Sequence, residues 1–360
     1  MHSDDVPADL LLGRPVVEVA DSDTAGYLEG SSVVVTGAAG SIGSELSVRL
    51  ARLGARELVL VDQAEAALVE LARRLEQDHA FTAVPVLADV RSSVRVREIF
   101  QRHRPDVVFH AAAYKQVPLL ERNPVEAVTA NVFATRSVVD AAGSAGARRL
   151  ILFSTDKAVR PTGVLGRTKA LAEWVVAAAA RGCPGRRYGA IRLGNVIDSA
   201  GTILPVFRRQ IEAGRPVTVT HPGAARYLMT AGEAAGLALA AGGLADGHSI
   251  FWLDVRPAVR VVDLVLRLAE ALGREVAIDL IGLRPGERLH EHFFWEPGDV
   301  EPTPCEMICR SALPEVDPGW LNERLAALAA QVDRASAAEV RATLDEMIAA
   351  ARTREEALAG

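Results

Sequence analysis

The sequence predicts an α/β protein: a doubly wound, mostly parallel sheet with helices on both faces, followed by a smaller C-terminal α/β part. Three observations predict it. Short β-branched runs alternate with amphipathic, helix-length segments over the first 200 residues. A glycine-rich turn, TGAAGSIGSEL, joins the first strand to the first of these helices. The 360 residues are 49% hydrophobic, ample for a large core.

Composition narrows the function classes. Net charge is −6 and the 40 Lys and Arg are scattered, so no nucleic-acid footprint is visible. No charge-free apolar run approaches the roughly 18 residues of a membrane span. The start, MHSDDVPADLL, is acidic and unlike a signal peptide. Three cysteines, Cys183, Cys305 and Cys309, fit a reducing, cytoplasmic setting, and no metal site is expected.

Val33–Val35 read as a buried parallel strand. Gly37, Gly40 and Gly43 then follow in G-x-x-G-x-x-G spacing. The first permits a sharp turn, the second close approach of a pyrophosphate, the third tight helix packing. Ser41 and Ile42 open the helix, whose N-terminus suits phosphate, and Leu46 and Leu50 give it an apolar face. The pattern is that of a Rossmann-like dinucleotide site.

The second strand, ELVLVD, ends at Asp62, 19 residues after Gly43, where an acid accepts ribose hydroxyls and repels a 2′-phosphate. No cation follows in Gln63, Ala64 or Glu65, so NAD is expected over NADP. The third strand, AVPVLADV, is expected to bring Asp89 and Val90 to the adenine. The fourth, DVVFHAAAY, ends in Ala111, Ala112 and Ala113, which leave room for a flat cofactor, with His110 at the junction. The next helix carries Asn131, which must be paired if buried and is expected to secure the backbone nearby.

The fifth strand delivers Ser154-Thr155-Asp156-Lys157 to the end of the sheet where open α/β folds do chemistry. Lys169 lies beyond it, with Leu165 four residues before, where many enzymes of this architecture carry tyrosine. Lys169 can bind the nicotinamide ribose. Proton transfer falls to Asp156 and Lys157, with Thr155 as relay or donor.

These residues resemble the extended short-chain dehydrogenase/reductase family. Within it, the chain is similar to nucleotide-sugar 4,6-dehydratases of the polysaccharide-biosynthesis type that act on UDP-N-acetylglucosamine. The resemblance covers residues 10–310 and rests on TGAAGSIGSEL, HAAAYKQVPLLERNP, NVFAT, STDKAVRPTGVLGRTKALAE, RLGNVIDSAGTILPVFRRQI, VTVTHPGAARYLMT and GLRPGERLHE. Members often have methionine at the position of Leu165. Many are the soluble half of a larger membrane protein, and this chain is expected to correspond to that half, without membrane anchoring.

The resemblance implies oxidation at C4 with NAD, loss of the C5 proton, departure of the C6 hydroxyl, and hydride return to C6. It assigns Asp156 as the acid for the C6 hydroxyl and Lys157 as the C5 base, with Thr155 on the C4 oxygen. Gln116 replaces the usual histidine in the run Lys115-Gln116-Val117-Pro118. With Leu165, that substitution keeps two alternatives open: a C4 or C5 epimerase using the same transient ketone, and a non-catalytic NAD-binding regulator.

Further along, Lys115, Gln116, Asn195, Leu204, Arg226, Arg284 and Glu287 are the substrate-binding candidates. Arg226 and Arg284 would grip a diphosphate. Leu204 would shape a base pocket, and Glu287 would bind ribose or orient Arg284. Tyr227 is expected to pack, and Arg192, charged within an apolar strand, demands a partner. His290 and His292 read as incidental. The expected division is an extension over 1–30, a cofactor domain over 31–200 rejoined by about 225–255, a substrate-binding part over 201–224 and 256–313, and a helical cap over 314–360. The alanine-rich helix after Lys169 and its predecessor are expected to form a homodimer or higher homo-oligomer.

Overall fold

The computed structural model describes residues 6–19, 25–79, 81–183, 185–197, 199, 201–295, 297–332 and 334–359. The first five residues of the acidic start, and residue 360 of the expected cap, lie outside them. The architecture is the Rossmann-like α/β fold expected. Nine strands form the main sheet: β1 (Ser32–Thr36), β2 (Glu57–Asp62), β3 (Val84–Leu87), β4 (Val107–His110), β5 (Arg149–Thr155), β6 (Arg187–Leu193), β7 (Ser249–Leu253), β8 (Glu301–Pro302) and β9 (Ile308–Ala312). Their order is β8-β9-β7-β6-β5-β4-β1-β2-β3. Every pair from β3 to β7 is parallel, and β9 pairs antiparallel with β7 and β8. The central strands are buried throughout because helices cover both faces.

The order reverses between β1 and β4, which pair in register from Val33 with Val107 to Thr36 with His110. A crevice opens at their C-terminal ends, the switch point at which such sheets bind ligands. Helices Ser41–Arg52, Glu65–His79 and Ala231–Leu244 bury one face of the sheet. Helices Ser93–His103, Ala134–Ala145 and Val164–Arg181 bury the other.

A smaller lobe has its own core of Leu204, Phe207, Val217, Leu228, Leu264 and Leu268, with Leu11 and Leu12 from the N-terminal segment. That segment is more than an appendage. Arg14 bonds Glu233 at 2.6 Å and the Leu228 carbonyl at 2.8 Å, tying the segment to the helix Ala231–Leu244.

Two expectations are corrected. Residues 256–313 do not all belong to the smaller lobe: β8 and β9 return to the main sheet, where β9 covers the otherwise open edge of β7. The second concerns the face expected to meet another subunit. It is covered by the chain's own helices Pro318–Val332 and Ala337–Ala359. Leu321, Leu325 and Leu328 are buried there, the Trp174 and Trp320 rings stand 6.2 Å apart, and Arg167 pairs with Asp345 at 2.6 Å. No described helix is long and apolar enough to cross a membrane.

Candidate active site

The cofactor candidates converge. Gly37, Gly40, Asp62, Asp89, Val90, Ala111, Ala112 and Ala113 line one cleft of about 180 Å³. Gly37 leaves β1 with a φ of 68°, and a Cβ there would lie 2.6 Å from the Ala112 nitrogen. Backbone thus meets backbone across the switch point, which only glycine allows. A Cβ on Gly43 would run into the Gly37 carbonyl, so the helix could not approach the turn. Gly40 is the extended N-cap and no side chain caps the helix. Its first turn, Ser41 and Ile42, brings backbone N–H groups and the positive helix end to the turn.

Asp62 accepts the Ala39 N–H through one oxygen and the Ala64 N–H through the other, both at 2.9 Å. It therefore fixes the glycine turn while each oxygen retains a lone pair for a ribose hydroxyl. These residues fit a dinucleotide. β3 stops at Leu87, two residues short of Asp89, which instead lies in the loop and pairs with Arg91 at 2.6 Å. That pairing holds the Asp89 carboxyl below its ordinary range. Arg91 also lines the cleft and was not among the expected residues; Glu126, 3.1 Å away, shares its charge.

Beneath the cleft, His110 is fully buried between the Thr36 hydroxyl at 2.7 Å and the Thr135 hydroxyl at 3.0 Å. Burial, with Lys169 adding to it, pushes the imidazole down to about 3, so it is neutral and structural. Asn131 bonds both backbone groups of Tyr114 and the Thr168 hydroxyl, as its burial demanded. It sits in a π-helical turn, Thr129–Phe133, which locally widens the helix.

The turn that carries the catalytic candidates follows β5 directly. Asp156–Ala158 form one 3-10 turn, with the Lys157 N–H donating to the Thr155 hydroxyl. Asp156 is fully buried. Its Oδ1 accepts from Thr155 Oγ1 at 2.9 Å and from Lys157 Nζ at 2.8 Å. Its Oδ2 is buried with no hydrogen-bond partner among the described residues. Lys157 also donates to Asn195 Oδ1 at 3.2 Å and lies 3.7 Å from Glu291.

The helix Val164–Arg181 approaches this turn because residue 166 is glycine; a Cβ there would enter the Lys157 carbonyl. Glu121 accepts the Val164 N–H at 2.6 Å and anchors the helix start. Leu165 is 6% exposed and supplies no phenol. Lys169, one turn on, is 4% exposed, and burial pushes its ammonium down to about 8, opposed by Glu173. The partner that Arg192 demanded is Glu173, at 2.8 Å, with Ser154 on the same carboxylate.

The substrate-side candidates divide. Lys115 reaches Ser199 at 2.9 Å and Gln116 the Gly201 carbonyl at 3.1 Å, so both meet the start of the smaller lobe. Asn195 joins the Asp156–Lys157 turn by accepting from Lys157. Arg226 bonds the Ala225 and Leu289 carbonyls. Arg284 and Glu287 form a pair in an exposed turn. Leu204 is 2% exposed and faces the lobe's core rather than an open wall. Tyr227 packs on Phe293, centroids 4.6 Å apart.

Sequence reasoning missed Glu291 and Arg288. Both line a narrow cavity with Lys157, Leu165, Thr162 and Gly286. The only signal was an acid just before the aromatic pair Phe293-Phe294. His290 and His292 flank it, and no group of described residues could hold a metal ion.

Comparison with known proteins agrees with this fold. The profile of a family described as "Polysaccharide biosynthesis protein" matches residues 33–312. The chain is 39% identical to the capsular polysaccharide biosynthesis protein CapD of Staphylococcus aureus, over 78% of this chain and 48% of that one. It is 40% identical to the probable polysaccharide biosynthesis protein EpsC of Bacillus subtilis, over 80% and 49%. The chain thus spans about half the length of these curated relatives. A UDP-glucose 4-epimerase of Rickettsia conorii is 32% identical over 72% and 76%. Among solved structures, Pen from Bacillus thuringiensis superposes with a TM-score of 0.73 at 27% identity, over 81% of this chain and 89% of that one.

Proposed function

Because the chain belongs to the polysaccharide biosynthesis protein family, an extended short-chain dehydrogenase/reductase branch related to nucleotide-sugar modifying enzymes, we propose that it is an NAD-dependent nucleotide-sugar 4,6-dehydratase. Its substrate in this reading is UDP-N-acetylglucosamine or a related UDP-sugar. The observation that carries the proposal is Asp156: a fully buried carboxyl with one oxygen held by Thr155 and Lys157 and the other unpartnered. Leaving such an oxygen buried and unpaired costs about 1–3 kcal/mol, so a role at the reacting atoms explains it.

NAD, which the Gly37–Gly43 turn, Asp62 and Lys169 would hold, would supply the hydride chemistry between C4 and C6. The chain's own groups handle the protons. Thr155 holds the C4 oxygen. Asp156 in its acid form protonates the departing C6 hydroxyl, and the proton released from the C4 hydroxyl restores it. Lys157 removes the C5 proton and later gives it back. Lys169 binds the nicotinamide ribose and keeps the site positive. Asp62 selects NAD by accepting the ribose hydroxyls.

A second reading, C4 epimerisation, is favoured by the identity to the Rickettsia epimerase. It needs no acid aimed at C6, so Asp156 would have no task at that carbon. Incubating the protein with NAD and UDP-N-acetylglucosamine, then weighing the nucleotide sugar, tests the choice. Loss of one water supports dehydration; an isomer of unchanged mass supports epimerisation.

A further inference from the structure

Glu291 reaches the Asp156–Lys157 turn from a segment remote in sequence. It is 4% exposed, with Oε1 3.7 Å from Lys157 Nζ. Its Oε2 is buried without a hydrogen-bond partner among the described residues, and Arg288 lies 3.6 Å from it. The side chain is not there by slack in the loop. Arg288 bonds the Val159 carbonyl at 2.9 Å and the Thr162 hydroxyl at 3.0 Å, pinning the segment to the turn that follows Lys157. Two residues on, the Phe293 carbonyl accepts from Arg192 at 2.8 Å, and Arg192 is locked on Glu173. A carboxylate held in this way without full pairing costs stability unless it is used.

Lys157 supplies the use. Asp156 Oδ1 and Asn195 Oδ1 accept hydrogen bonds from its nitrogen, and Glu291 Oε1 stands 3.7 Å away as a second ion-pair partner. An ammonium cannot take the C5 proton. Asp156 cannot relieve it while serving as the C6 acid, since that role needs Asp156 already protonated. Glu291 is the other carboxylate beside Lys157.

We propose that Glu291 is a positioning residue that takes one proton from the Lys157 ammonium, leaving a neutral amine to remove the C5 proton. The proton passes from Nζ to a Glu291 oxygen, and the amine takes the C5 proton while the C5 electron pair expels the C6 hydroxyl. Reprotonation of C5 by Lys157 regenerates the amine, and Glu291 returns its proton. Glu291 faces Lys157, Asp156, Arg226 and Arg288. Burial and Asp156 push its carboxyl above the ordinary range, although the three cations oppose this. The inference rests on the dehydratase reading.

The test compares the wild-type 360-residue chain with Glu291→Gln and Glu291→Asp, using NAD and UDP-N-acetylglucosamine in deuterated water. Two signals are followed: nicotinamide reduction, which reports C4 oxidation, and deuterium entry at C5. The Gln variant is expected to reduce its cofactor as the wild type does but to exchange C5 about 100-fold more slowly. The Asp variant, which keeps the charge, is expected to recover part of the exchange. Wild-type exchange in both variants overturns the role of Glu291 and leaves the dehydratase reading intact. Loss of cofactor reduction together with exchange, or of folding as judged by melting temperature, marks a structural role and also overturns it. Absence of both signals in the wild type overturns the dehydratase reading itself.

Discussion

The Lys157 ammonium stands 2.8 Å from one oxygen of Asp156, while the other oxygen of Asp156 is buried with no partner among the described residues. One carboxyl therefore does two things. It fixes the lysine through Oδ1 and leaves Oδ2 open for the proposed acid role. Both residues leave the end of β5 on a single turn, so their relation is set by backbone rather than by long side chains.

Asp156→Asn keeps the hydrogen bond to Lys157 but cannot donate a carboxyl proton. Turnover is expected to fall by roughly 10²–10⁴-fold. NAD affinity, set in a different part of the cleft, is expected to stay at the wild-type level. Steady-state kinetics and a cofactor titration check the two halves of this statement.

Asp62→Asn removes the negative charge while preserving an acceptor for one of the two backbone N–H groups it holds. A charge-assisted hydrogen bond is worth about 1.5–3 kcal/mol. NAD affinity is expected to drop roughly tenfold or more. The wild type is expected to prefer NAD over NADP, and the variant to discriminate less. Calorimetric titration with both cofactors measures this.

Lys169 makes its prediction through pH. Its ordinary value of 10.5 is pushed down to about 8 by burial. Between those values the unfolded chain binds a proton that the folded chain has lost, so wild-type stability rises with pH across that window. Below about pH 8 the folded state carries the full cost of a buried ammonium. Lys169→Met is therefore expected to be more stable than the wild type at pH 7, by roughly 3 kcal/mol. The gap is expected to close as pH rises towards 10.5. Denaturant unfolding at several pH values checks the sign. The same variant is expected to bind NAD poorly.

Leu321 is fully buried between the C-terminal helices and the helix Val164–Arg181. Leu321→Ala is expected to cost about 2–5 kcal/mol of stability. Since the helix Val164–Arg181 carries Lys169, loosening its cover is expected to weaken NAD binding before it abolishes turnover. Melting temperature and kinetics on the same preparation measure both effects.

Much of the cofactor half was legible in the sequence because local signals agree there. The glycine spacing, Asp62 at a strand end and the small residues Ala111–Ala113 each have a reading that depends on near neighbours, and all line one cleft. Buried polar residues were legible for a different reason. Asn131 and Arg192 demanded partners by energy alone, and both have them. Glu291 and Arg288 were not legible, because their meaning comes from packing against a turn about 130 residues earlier in the chain. The helical cap over 314–360 was legible, but the face that its helices 318–359 cover was not, for a related reason. An apolar helix stripe announces that it will be buried without saying whether the chain itself or another copy buries it. Leu204 shows the converse: an apolar residue in a ligand-like context that serves the core.

The most direct test of the central claim is the position of deuterium in the product formed from UDP-N-acetylglucosamine in deuterated water. Dehydration with Asp156 as acid and Lys157 as base predicts loss of one water and entry of one solvent deuterium at C5. An isomer of unchanged mass with no deuterium would contradict it and assign the site to epimerisation at C4.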